Sequence, residues 1–184
     1  MGKCAAILWV ALFCSTFAWG QLPSGNVFIG YSHTEINVTH TNVIAGQSTG
    51  LNGWNGSIEG QFLPLLGLVV DVSGHYGSQD MTINGVGGNA NLSEYNFLFG
   101  PEISFKVSRF RPFVHALIGG GHVGASLSGA STSSGSFTDA LGGGLDYRFA
   151  HIFGWRFQLE ALQTRFFSNS QTNARFSTGI VVHF

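Results

Sequence analysis

The sequence predicts an all-β fold: a transmembrane, eight-stranded, antiparallel up-and-down β-barrel. Three observations predict it. Apolar residues recur with a period of two over stretches of ten or more residues, as in Arg175 to Phe184, RFSTGIVVHF. The connections between such stretches alternate between short ones and mostly longer polar ones, and that alternation marks membrane barrels. Charged residues make up only 9% of the 184, against about 25% in an ordinary soluble domain.

The composition excludes several other classes. The chain is 44% hydrophobic, with 27 Gly and 25 aromatic residues. That is too apolar and too weakly charged for a disordered chain. The glycines have no three-residue period, so collagen is excluded. A formal net charge of −1 offers no cationic footprint for nucleic acid. A water-exposed surface with so few charges would be poorly solvated.

The first twenty residues read as a secretory signal peptide. Lys3 supplies the basic start, Cys4 to Cys14 is an unbroken apolar run, and Ala18-Trp19-Gly20 gives a small-x-small site before Gln21. The run is too short to span a bilayer as a helix. A lipoprotein signal at Cys14 is the rival reading, opposed by the bulky Phe13 before it; a buried N-terminal helix is another. Cleavage after Gly20 divides the chain into a signal, 1–20, and a barrel, 21–184. Both cysteines fall in the signal, so no disulfide is expected in the barrel. The longest later apolar stretch, Phe62 to Val70, has nine residues and contains Pro64. Any membrane crossing must therefore be made by strands.

Strands are expected near 26–36, 51–62, 66–77, 92–105, 111–124, 136–149, 154–166 and 173–184. In the second, Trp54, Gly56, Ile58 and Phe62 share a face against Asn55, Ser57, Glu59 and Gln61. In the third, Leu68, Val70, Val72 and Tyr76 oppose Asp71, Ser73 and His75. In the fourth, Tyr95, Phe97, Phe99, Ile103 and Phe105 oppose Glu94, Asn96, Glu102 and Ser104. In the seventh, Trp155, Phe157, Leu159 and Ala161 oppose Arg156, Gln158 and Glu160. Such alternation places one face in an apolar medium and the other among polar groups. The fifth and sixth strands are blurred by Gly119-Gly120-Gly121 and Gly142-Gly143-Gly144, and the first is ambiguous around Phe28. Long polar connections are expected at 37–50, 78–91, 125–135 and 167–172. Aromatic girdles are expected from Phe62, Phe105, Phe149 and Trp155 at the short-turn side, and from Trp54, Tyr76 and Tyr95 toward the long loops. A soluble sandwich or lipocalin-type barrel is the competing architecture, with the apolar face inside.

The segments NFLFGPEISF (Asn96 to Phe105), RPFVHALIG (Arg111 to Gly119) and ALGGGLDYRF (Ala140 to Phe149), with the terminal strand ending in Phe184, resemble those of the small OmpA/OmpX-type outer-membrane β-barrels of Gram-negative bacteria. The resemblance covers residues 21–184. It implies residence in the cell outer membrane, with both termini in the periplasm. It also implies that Phe176, Ile180, Val182 and Phe184 form the signal recognised by the assembly machinery. Larger OmpA-type proteins continue into a peptidoglycan-binding domain. No such domain is read after the barrel here, so a cell-wall tether is not expected.

Parity places Glu59, Asp71, Glu94, Glu102, Arg111, Asp146, Arg148, Arg156, Glu160 and Arg175 inside the barrel. They are ten of the sixteen charges after residue 20. Buried charges need partners, so acid–Arg clusters are expected there. The remaining charges, Glu35, Asp80, Lys106, Arg109, Asp139 and Arg165, are expected at rims, loops or turns. Lys106, Arg109 and Arg111 gather at one short turn, where they meet either lipid phosphate or water.

No enzyme, cofactor or metal site is expected. The triple glycines precede no helix pattern and so make no phosphate loop. Asp71 and His75 are four apart on one strand, about 13 Å at roughly 3.3 Å per residue. Barrel lipid A deacylases often carry His-x-Ser, and no His here has Ser two residues on. Three Asn-x-Ser/Thr sequons (Asn37, Asn55 and Asn91) read as chance matches. The expected role is structural or surface interaction through the outer loops, with membrane lipid and an extracellular ligand or surface as partners, no nucleic acid and a monomeric state. The alternatives are a narrow ion-conducting pore or a lipid A-modifying enzyme.

Overall fold

The computed structural model describes residues 24–36, 49–83, 86–127, 130–166 and 169–184. The segment read as a signal, 1–20, and most of the 37–50 connection lie outside the described residues. Eight strands follow one another: β1 (Gly25–Ile36), β2 (Thr49–Gln61), β3 (Leu66–Ile83), β4 (Val86–Ser104), β5 (Phe110–Leu127), β6 (Ala130–Arg148), β7 (Phe153–Phe166) and β8 (Asn169–His183). Each pairs antiparallel with the next, and β8 pairs with β1 to close the barrel. Closure leaves no sheet edge at membrane depth, which is what a sheet needs in hydrocarbon.

The register is staggered. From Gly25 the pairings lead through Gly60, Leu68, Pro101, Ala116, Leu141, Ala161 and Ala174 (the β4–β5 register carried through Pro101) back to β1 at Glu35, ten residues further on. A shear of that size tilts the strands by about 40° to the barrel axis and leaves an interior that side chains can fill.

The faces follow the alternation. Ile29, Ile58, Phe97, Leu141 and Leu159 point outward, the last two 68% and 65% exposed. Inside lie the polar residues of the same strands. Phe28 settles the ambiguous parity of β1: it points inward and is buried, while Val27, Ile29 and Tyr31 face out. The blurred strands have a physical reason too. An apolar strip of Val69, Leu98, Leu117, Ala140 and Leu162 runs across the inner faces of β3 to β7. Strands β5 and β6 are therefore apolar on both sides in part.

The outer ends differ from expectation. The segments 78–91, 125–135 and 167–172 are mostly not loops. Strands β3 and β4 stay paired to Ile83 and Val86, β5 and β6 to Leu127 and Ala130, and β7 and β8 to Phe166 and Asn169. Above the membrane neither face meets hydrocarbon, so no alternation is imposed on the sequence. Ladder hydrogen bonds extend these hairpins, and Ser, Thr, Asn and Gly make them without leaving a period. The longer β6 also corrects the position of Asp139. It lies well inside the ladder, half-exposed, between Ile118 and Gln163 and two residues in from Phe137.

The short turns lie at the opposite end. Val107 and Phe110 exchange both backbone hydrogen bonds at 2.8 and 2.9 Å around Ser108 and Arg109. Ser108 has φ 58°, the left-handed region that two-residue hairpin turns reserve for Gly. Ser108→Gly is therefore expected to stabilise the barrel by about 1 kcal/mol; urea unfolding in lipid vesicles measures it.

Candidate functional site

The inward-facing charges form two clusters. In the first, near the short turns, Arg111 Nη2 donates to both Glu59 oxygens at 2.6 Å and to Ser104 Oγ at 2.7 Å. It also lies 3.6 Å from Glu102. Arg156 binds Asp146 through two parallel hydrogen bonds, 2.6 and 2.8 Å, and donates to Asn26 Oδ1 at 3.0 Å. Asn26 in turn donates to Glu59. The Arg156 guanidinium sits between two rings, 4.4 Å from the centroid of Phe113 and 5.2 Å from that of Phe28. A desolvated cation so placed gains from both ring faces.

Glycine makes that sandwich possible. A Cβ at Gly144 would lie 2.6 Å from Phe113 Cζ, and one at Gly30 would lie 2.7 Å from Phe28 Cζ. Each ring lies over a residue with no side chain, so Gly144 in the Gly142-Gly143-Gly144 run makes room for a β5 ring.

In the second cluster Arg175, fully buried, donates to Glu160 at 2.6 Å, Asp71 at 2.8 Å and Ser73 at 2.7 Å. Asn55 donates to the other Asp71 oxygen at 2.7 Å. His115 joins the clusters. Its Nε2 is 2.9 Å from Glu160 and its Nδ1 is 3.5 Å from Glu102.

Two of the ten residues placed inside by parity stand apart. Glu94 is buried, but its described partner is the Asn96 amide, which donates at 3.0 Å. Arg175 is held lower down by Asp71 and Glu160. Arg148 is half-buried and makes no ion pair among the described residues. It ends β6, so it has inward parity at the depth of the mouth. His115 was not among the candidate site residues, although its alternation with Arg111 on β5 was a usable signal.

His75 does not meet Asp71. It meets Ser32 Oγ at 2.9 Å and Thr34 Oγ1 at 3.1 Å. A Ser–His contact is the opening pair of a nucleophilic site, but both residues are fully buried in the lumen.

The girdle residues Trp54, Phe62, Tyr76, Tyr95, Phe105, Phe149 and Trp155 are all exposed on the outer face. Tyr76 and Tyr95 touch edge-to-face and share a hydrogen bond of 2.9 Å. Phe176, Ile180 and Val182 line the outer face of β8, and Phe184 is exposed just beyond its end. A barrel with a largely apolar outer wall, aromatic rings at both ends and most charges inside is built for a bilayer.

No protein-family model and no curated relative matches the chain. Solved structures do match in fold. Ail, the attachment invasion locus protein of Yersinia pestis, is 16% identical with a TM-score of 0.61, over 89% of this chain and 100% of its own. Ail is also seen in complex with the heparin analogue sucrose octasulfate. Neisserial surface protein A is 13% identical with a TM-score of 0.66, over 87% and 97%. The N-terminal barrel domain of Pseudomonas aeruginosa OprF is 15% identical with a TM-score of 0.53, over 88% and 97%. The fold is that of the small eight-stranded barrels, as the resemblance to the OmpA/OmpX type implied.

Proposed function

We propose that the protein is an integral outer-membrane β-barrel whose interior is structural and whose outer hairpins bind an extracellular ligand or surface. One observation carries this reading. The β3–β4 hairpin stays paired to Ile83 and Val86, seven residues beyond Tyr76 in the aromatic girdle, or about 23 Å of strand at roughly 3.3 Å per residue. Pairing of β3 with β2 stops at Tyr76, and pairing of β6 with β7 stops at Phe137. Residues 77–83 and 130–135 thus offer one unpaired backbone edge each among the described residues. Such edges accept an added strand, while the flanking side chains select the partner. Loops on a rigid scaffold are where binding concentrates. On the same reading the outward row Phe176, Ile180, Val182 and Phe184 presents the chain to the assembly machinery, and the enclosed Ser32–His75 pair is packing rather than catalysis.

The test shortens each hairpin separately, replacing 79–90 or 126–131 by an Asn-Gly turn. Attachment of barrel-bearing vesicles to host cell surfaces and immobilised sulfated glycans is then measured. Attachment should fall for at least one variant, while every variant keeps the faster gel mobility of the folded barrel. Unchanged attachment with both hairpins shortened would refute the reading. A narrow pore draws support from one feature: six buried carboxylates face three buried guanidiniums. Discrete cation-selective conductance in planar bilayers, altered by Glu102→Gln, would favour it instead.

A further inference from the structure

We propose that the short-turn mouth of the barrel holds a site for the phosphate of an anionic phospholipid headgroup, formed by Lys106, Arg109 and Arg148. The proposal rests on the membrane reading above. Seven basic residues follow residue 20, and three of them, Arg111, Arg156 and Arg175, are spent in the buried clusters. Lys106, Arg109 and Arg148 come together at the β4–β5 turn and the end of β6. They line one small, partly open cavity of about 30 Å³, with Arg111, Asp146 and His183 in its wall. That space takes water or the oxygens of an anion and no whole organic molecule.

The arrangement sets like charges side by side with no acid of their own. Arg109 and Arg148 are cross-strand neighbours, with Arg148 N donating to Arg109 O at 2.8 Å. Like charges directly opposite repel. No carboxylate among the described residues lies within ion-pair distance of Lys106, Arg109 or Arg148. Asp146, the carboxylate in the wall, is already bound through both oxygens by Arg156 and lies 3.7 Å from Arg111. Three cationic residues thus line a space whose own acid is neutralised, and guanidinium pairs suit phosphate oxygens.

The surroundings identify the source of the phosphate. The turns at this end are apolar: Phe62, Leu63 and Leu65 in one, Val107 in the next, Phe149 and Ile152 in the third, all exposed. Turns in bulk water would not carry them, so this rim lies at the depth of the headgroups. Phe110 and Tyr147 meet at 5.3 Å on the outer face beside the cavity, where acyl chains begin. A lipid with net negative charge fits. A zwitterionic one would bring its own cation against the cluster.

Trp155, opposite Tyr147 in the ladder, reports on lipid beside this site. The full barrel carrying Trp54→Phe would be refolded into phosphatidylcholine vesicles containing brominated phosphatidylglycerol or brominated phosphatidylcholine. Quenching of Trp155 gives the relative affinity. Phosphatidylglycerol should be preferred by about fivefold, with the preference falling at raised salt. Lys106→Gln, Arg109→Gln and Arg148→Gln together should remove the preference while the folded-band mobility is kept. Equal quenching by both lipids, or a preference that survives the triple substitution, overturns the site. Loss of the preference to inorganic phosphate at matched ionic strength would show a free-anion site instead. No quenching by either lipid would overturn the membrane reading itself.

Discussion

Arg175→Met will destabilise the folded barrel by about 3–5 kcal/mol, the cost of leaving buried carboxylates without their cation. Arg175 is enclosed in the lumen, and its hydrogen bonds run to β3 and β7 at once: Asp71 and Ser73 on one, Glu160 on the other. Methionine fills much of the volume and supplies no donor. Asp71 keeps only the Asn55 amide, and Glu160 keeps only His115. Adding Asp71→Asn and Glu160→Gln should restore much of the loss, because neutral amides tolerate burial where unpaired charges do not. Urea unfolding in lipid vesicles, followed by tryptophan fluorescence, measures both. A loss below about 1 kcal/mol for the single variant, the size of an ordinary surface substitution, would mean that the lumen is solvated and the cluster dispensable.

Leu141→Arg will cost about 2–4 kcal/mol, whereas Val107→Arg will cost about 0–1 kcal/mol. Both residues are among the most exposed in the protein, at 68% and 62%. Exposure alone would make them equivalent, and in water both substitutions would be nearly neutral. The difference arises only if the wall around Leu141 is hydrocarbon. Leu141 lies between Phe137 and Tyr147 on the outer face of β6, away from both aromatic levels, and Val107 lies in a turn. Equal and small effects in vesicles would show that the apolar wall does not contact lipid. The pair therefore tests the orientation of the barrel's faces more directly than localisation does.

The membrane-spanning part was legible because burial alternates there. Glu59 and Ile58, Asp71 and Val72, Glu160 and Leu159 are neighbours in sequence and opposites in environment, so parity assigns them. Parity says nothing about depth. It put Arg148 inside with Asp146, although Arg148 is at the mouth. It put Glu94 inside with Glu102, although among the described residues its partner is the Asn96 amide and no guanidinium. Where the lumen is itself apolar, at Phe28, Leu117 and Ala140, the two faces stop contrasting and the pattern fades. Beyond the membrane neither face is selected for hydrocarbon, so the hairpin extensions within 78–91 and 125–135 resemble loops. The Arg109–Arg148 opposition depends on pairing two strands in one register. No spacing within a single stretch of sequence contains it.

The two ends of the barrel meet. Gly25 N donates to Phe184 O and Phe184 N to Gly25 O, each at 3.0 Å, on the same rim as the three short turns. In hydrogen-bonding terms this junction is a fourth hairpin whose turn happens to be open. The order of strands is therefore cyclic, and the chain's point of entry is interchangeable with any other short turn. A short linker from Phe184 to Gly25, with new ends cut at Ala150–His151, would leave every ladder described here intact. The fold would then be a ring without a first strand.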